Sequence, residues 1–468
     1  MRSLARFFVM AAFLCQLEAR TENLSQIPAR TPPAWLRDGV VYEIFPRAFS
    51  STGDLNGITE QLDRLQDLGV TILWTMPIQP IGEKFRNGKF GSPYSIKDYY
   101  AVDPQYGTIE DYKRLVLAAH QRGLKVIMDL VAVHTAWDNE MMKRPEFYKH
   151  DAQGNVVPPV PGWTDVAGLN YGNPALRRYM IEMLKYWIRT CDVDGFRCDS
   201  ASMAPTDFWE QARAELTQVK PDIMLLAEAS KPELLVNAFD VDYAWPLLRT
   251  LDNVLIKGAP ASNLRATWEE TQREFPHNSL HLRMSDNHDE SRAVSRFGVH
   301  GAVAASVLMF TLDGVPLLYN GMEVGDATES AGAALFDRLP IFWSPPDRPH
   351  LGQIYQALIR LRKENAPFRR GRVIWLHNSN EDSIVTFKRA DEKNEFVMVI
   401  NLSNRSINGR VDVEDSEGFN LKRVVGMAAE ENHNFPSFHL GSFAWSIYQR
   451  VLASAGTAAS DAGQIKHD

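Results

Sequence analysis

Residues 173–199 read NPALRRYMIEMLKYWIRTCDVDGFRCD, and the spacing of apolar side chains in this stretch decides the fold. Asn173-Pro174 is a polar cap followed by proline in the first turn, a helix start. Leu176, Tyr179, Met180, Met183, Leu184, Trp187 and Ile188 then follow the helical period, which predicts one buried stripe. Beyond Cys191 that period is lost, and Gly195–Asp199 reads as a short strand. A helix feeding a strand is half of a βαβ unit, and the same alternation runs outward in both directions.

Upstream, strands are predicted at Val40–Phe45, Val70–Met76 and Lys125–Val131; downstream, at Ile223–Ala227, Val241–Trp245, Leu280–Met284 and Val315–Tyr319. Helical stripes separate them. Ile58, Leu62, Leu65 and Leu68 share one face before a stop at Gly69, Thr108 and Asp111 open a helix in a capping-box pattern, and a last helix is expected over Gln353–Glu364. Eight such units predict an α/β protein, a (β/α)8 TIM barrel over residues 33–366. The segment 136–172 exceeds an ordinary strand–helix loop and holds Pro158, Pro159 and Pro161, so it reads as a small subdomain inserted after strand three. Past residue 370, short strands (Ile384–Lys388, Phe396–Asn401, Phe443–Gln449) run without helices, which predicts a C-terminal all-β sandwich over 370–450. Residues 451–468 are small and polar and read as a disordered tail, and no internal repeat is visible.

The chain has 468 residues, 45% hydrophobic and 23% charged, as expected of a globular protein. Its net charge of −8 is spread without like-charge runs, which argues against a nucleic-acid-binding surface. Arg2 and Arg6, the apolar Phe7–Leu14 and the small Ala19 read as a signal peptide over 1–19, implying export to the periplasm or the exterior. No later segment is expected to span a membrane. Cys191 and Cys198, separated by a helix end and an extended run, are expected to remain unbridged.

In a barrel of this kind, polar residues at the C-terminal ends of strands face one mouth. Asp129 and His134 lie at the end of strand three, Arg197 and Asp199 at the end of strand four, Glu228 after strand five, and Asn287-His288-Asp289 after strand seven. Singly, an Asp after a strand is most often a turn former and a His a satisfied structural residue. Charges converging from four strands are costly to bury unless they perform chemistry or hold a polar ligand.

Asp129-Leu-Val-Ala-Val-His134, Gly195-Phe-Arg-Cys-Asp199, Ala227-Glu228 and Ser285-Asp-Asn-His-Asp289 resemble, in order and in strand placement, the four signature regions of the α-amylase family, glycoside hydrolase family 13. Tyr94–Tyr100 and Gly314–Gly321 add to the resemblance, which spans Trp35 to Arg450. It implies Asp199 as nucleophile, Glu228 as general acid/base and Asp289 as the carboxylate that stabilises the transition state. It also implies that Arg197 keeps Asp199 ionised, that His134 and His288 bond sugar hydroxyls, and that Tyr94 is the platform under the sugar ring. The implied activity is retaining hydrolysis of α-glucosidic bonds in starch-derived glucans or maltooligosaccharides. The alternatives are glucosyl transfer or isomerisation, and, remotely, an inactive binding subunit, against which all three carboxylates are kept.

Three positions depart from the family pattern. Val133 stands where many members place an asparagine that ligates calcium, so no metal or other cofactor is expected. Ser202 and Met203 replace a Lys-His pair on the leaving-group side, and Gly168 replaces an acidic residue of the insert.

Overall fold

A computed structural model describes residues 23–344, 350–427 and 435–452. The leader expected at 1–19, and the expected tail from residue 453 on, lie outside the described residues. Eight parallel strands close the barrel: β1 (Val41–Ile44), β2 (Ile72–Thr75), β3 (Lys125–Val131), β4 (Gly195–Asp199), β5 (Met224–Ala227), β6 (Val241–Tyr243), β7 (His281–Arg283) and β8 (Val315–Tyr319). They pair in sequence order, with β1 closing on β8, so β5 stands four strands from β1 on either path around the ring.

Strand alternation sorts the side chains into two sets. Val41, Ile72, Ile127, Met224, Leu226 and Leu317 fill the barrel, whereas Tyr42, Leu73, Val126, Met128, Phe196 and Leu225 join the larger core beneath the helices. Glu43, Trp74, Asp129, Arg197 and Tyr243 share the inward parity, so the barrel interior turns polar toward its C-terminal end.

Local signals account for most helix ends. Thr108 and Asp111 form a reciprocal capping box on Ile109–Gln121, and Asn173 caps Pro174–Cys191 by accepting the Ala175 N–H. The stripe expected from Ile58 to Leu68 is two helices, Leu55–Thr59 and Leu62–Leu68; the second ends at Gly69 with φ +98°, where a Cβ would stand 2.9 Å from Ile359 Cγ2. β6 ends at Tyr243 and not Trp245, because Pro246 sets the first turn of the helix Trp245–Lys257. Ala293–Thr311 passes the length and hydropathy of a membrane span by composition alone, but its backbone breaks at Gly298 (φ +68°) and most of it is buried within the protein, as in a core helix. Cys191 and Cys198 are free and buried.

The insert carries a short antiparallel pair, His134–Ala136 with Val166–Gly168. Val133 is buried in one core with Leu169 and Tyr171, and its carbonyl accepts the Leu169 N–H at 3.0 Å. The C-terminal region is a five-stranded antiparallel sheet beside a two-stranded one. Ile384, Val397 and Val399 face the small sheet with Phe438 and Leu440, while Phe387, Met398, Ile400 and Ile447 join the core of the barrel.

Candidate active site

Arg197 is the hub at the barrel mouth. Its side chain is fully buried on β4, in register with Asp129 on β3. Nη1 donates to Asp129 Oδ1 at 2.9 Å and to Asp199 Oδ1 at 3.0 Å, and Nη2 lies 3.1 Å from Glu228 Oε2. Nε donates to the Tyr243 hydroxyl at 3.3 Å, and the guanidinium sits 5.2 Å from the Trp74 ring centroid. One rigid fork thus fixes carboxylates from three strands, and the planar geometry sets their mutual orientation.

Directly after β4, Ser200 has a left-handed backbone, φ +44° and ψ +41°. That conformation is uncommon for a residue with a Cβ, and here it aims the Ser200 N–H at Glu228 Oε2, 2.6 Å away. Glu228 is therefore held by a backbone donor on one side and by Arg197 on the other.

Arg197 was expected to keep Asp199 ionised. It does draw the Asp199 pKa down, but burial, first, and the neighbouring Glu228 charge outweigh it, and the Asp199 carboxyl is held well above the usual carboxylate range. One guanidinium thus faces three carboxylates, and the like charges around Asp199 oppose its ionisation.

The two histidines carry opposite states. Burial works against a charge on His288, but Asp289 and Glu43 overcome it and raise the imidazole to about 9. As imidazolium it donates from Nδ1 to Glu43 Oε1 at 2.5 Å and from Nε2 to the Tyr94 hydroxyl at 2.7 Å. That hydroxyl then donates to Asp129 Oδ2 at 3.2 Å, which closes a relay from β1 to β3. Tyr94 also stacks on His288, with centroids 5.5 Å apart and planes at 22°. Burial lowers His134 to about 4, so it is neutral. Its Nε2 lies 3.1 Å from the Tyr94 carbonyl, which only accepts, so Nε2 carries the proton and the buried, unpartnered Nδ1 is left as an acceptor.

These groups border a cavity of about 300 Å³, lined by Tyr94, His134, Asp199, Glu228 and Asp289 together with Ser92, Trp163, Asp165, Leu335 and Phe336. Asp289 is the most open of the three carboxylates and lies 3.3 Å from His288 Nε2. Arg197 and His288 act from below or beside the lining. Sequence reasoning missed Glu43, Trp74, Tyr243 and Trp163 and left Asp129 without a role. An acid at Glu43 with the inward parity of Val41 was a usable signal; Trp163, edge-on to His134 at 5.6 Å, had none. At the departures, the Val133 side chain is buried among apolar groups, and a Cβ on Gly168 would stand 2.9 Å from Pro159 N and 3.0 Å from its Cα. Proline backbone occupies the place of an acidic side chain.

A family model described as "Alpha amylase, catalytic domain" matches residues 43–154 and 162–344. The chain is 31% identical over 315 residues to Alpha-amylase MalA of Haloarcula japonica, covering 64% of this chain and 46% of that one. It is 28% identical over 425 residues to a cyclomaltodextrinase of Geobacillus thermopakistaniensis, covering 80% and 70%. The solved structure of an alpha-amylase from Lactobacillus plantarum superposes with a TM-score of 0.79 at 29% identity, over 89% of this chain and 99% of the other.

Proposed function

The chain belongs to the alpha-amylase family, and on that premise we propose that it is a retaining glycosidase hydrolysing α-glucosidic bonds in starch-derived α-glucans and maltooligosaccharides. The observation that supports this reading is the convergence of Asp199, Glu228 and Asp289 on one cavity, with Arg197 bonded to the first and in contact with the second.

In the first displacement an Asp199 carboxylate oxygen attacks the anomeric carbon while the Glu228 carboxyl gives its proton to the glycosidic oxygen. The carbon–oxygen bond breaks, and the leaving sugar departs with a new hydroxyl. Water then loses a proton to the Glu228 carboxylate and attacks the same carbon, releasing Asp199 as the carboxylate. The cycle requires the proton on Glu228 and none on Asp199, and cationic character growing at the anomeric carbon favours the ionised form of Asp199. Asp289, the most open of the three carboxylates, faces the oxocarbenium-like carbon. His134 lines the same cavity and sets a neutral imidazole beside the sugar. Interception of the glycosyl ester by a sugar hydroxyl in place of water would yield transfer through the same residues.

No calcium enters this reading, because Val133 and Gly168 supply no side-chain oxygen where a hard cation needs six to eight ligands. The N-terminal Arg2, Arg6 and Phe7–Leu14 support an exported enzyme, acting in the periplasm or outside the cell. Proton NMR of the first product from maltooligosaccharide, with and without acceptor sugar, tests the mechanism. The α anomer is expected first, since two displacements restore configuration; initial β anomer would exclude it.

A further inference from the structure

We propose, building on the glucan-hydrolase reading, that the chain attacks glucans from the non-reducing end and releases one or two sugar units at a time, because Arg47 ties three loops into a wall behind the cleavage point. The direction follows from the barrel. Glu228 follows β5 and gives its proton to the leaving oxygen, so the departing, reducing-end part of the glucan lies on the β4–β5 side, where Ser202 is exposed. The part left on Asp199 points across the mouth toward β1, four strands away.

That side is closed. Arg47 lies two residues beyond Phe45, just after β1, and is 3% exposed. Its Nη1 donates to Gly91 O at 3.2 Å in the loop after β2 and to Leu335 O at 3.0 Å in the loop after β8. Nη2 donates to Phe90 O at 3.4 Å. The two loops also bond directly, Phe90 N–H to Phe336 O at 3.1 Å, and a Cβ on Gly88 would stand 2.7 Å from Phe336 Cβ. No groove can run between strands of chain packed that closely. Ser92, Leu335 and Phe336 present the inner surface of this wall to the cavity. The cavity it closes measures about 300 Å³, at the small end of ligand sites (~300–1,000 Å³). Arg47 is a positioning residue: it touches no substrate and acts through the carbonyls it gathers.

The test compares two p-nitrophenyl maltoheptaosides, one with a free non-reducing end and one blocked there by a 4,6-O-ethylidene group, with the cleavage products of each separated and quantified by chromatography and mass and no auxiliary enzyme present. The wild-type enzyme is expected to cleave the blocked substrate at least ~100-fold more slowly, as the block meets the wall, and to give glucose or maltose as first product from unlabelled maltoheptaose. Phe336→Ala, a partly exposed position, and Arg47→Ala should raise the blocked-to-free ratio about tenfold or more, with Arg47→Lys in between; a loss of fold alone would lower both rates and leave the ratio unmoved. Equal wild-type rates on both substrates, or long first products, would overturn the wall. Cleavage of neither, with no products from maltoheptaose, would instead remove the glucan-hydrolase reading beneath it.

Discussion

Asp199 and Glu228 sit on the two Nη atoms of one buried guanidinium, with Asp289 across the cavity from them, and each makes a separable prediction. Asp199→Asn keeps volume and hydrogen-bond reach but removes the nucleophile, so activity should fall by at least ~1,000-fold at unchanged melting temperature. Glu228→Gln should lose as much on maltooligosaccharides yet recover much of its rate on substrates with strongly acidic leaving groups, which need no proton. Equal losses on both substrate types would deny Glu228 the acid role. The histidines predict how stability follows pH. His134 is held near 4, below its ordinary value, so its stabilising contribution is full above about 6.5 and is lost as pH falls through 4. His288, near 9, contributes fully below about 6.5, and that contribution is lost as pH rises through 9. Each is on the order of 3 kcal/mol. Melting temperatures from pH 4 to 10 should therefore show a weaker acid-side decline in His134→Gln and a weaker alkaline-side decline in His288→Gln. An unaltered alkaline slope in the second variant would contradict a charged His288.

At the level of elements, the insert hairpin replaces chemistry with packing. Val133 lies under Leu169, and the Pro158–Pro159 segment rests where a side chain on Gly168 would stand. Chelators should consequently leave activity and melting temperature unaffected. Calcium added to chelator-treated protein should do nothing, since a ligand bound only by the folded state would reveal itself as added stability. A rise of several degrees would refute this. The same geometry predicts that Gly168→Asp does not build a site; its Cβ meets backbone, so the variant should melt lower with or without calcium.

The core beneath the barrel's helices continues into the C-terminal region. The five-stranded sheet turns Phe387, Phe396, Met398, Ile400 and Trp445 into the barrel's own cluster, and buried Arg389 donates to Thr311 O at 2.8 Å. Barrel and sheet should unfold together in a single calorimetric transition, and Phe387→Ala should move that one transition down by a loss of about 3–5 kcal/mol. Two separate transitions would show that the regions are independent. Much of this architecture was legible beforehand, because helical period, strand parity and caps are properties of neighbours in the chain. β3, β4 and β8 ended where their spacing placed them, the Thr108–Asp111 box formed, and the motif order marked Asp199, Glu228 and Asp289. The bent stripe before Gly69 and the early end of β6 differed by only a few residues, for equally local reasons. What no local pattern could supply was distance and dielectric. His288 meets Glu43 across 245 residues of chain, and Arg47 meets Leu335 across 288, only because the barrel closes β1 against β8. Asp199 shows the same dependence: burial and the Glu228 charge act on it only once β4 and β5 stand side by side, and there they outweigh the pull of an arginine that the sequence had placed correctly.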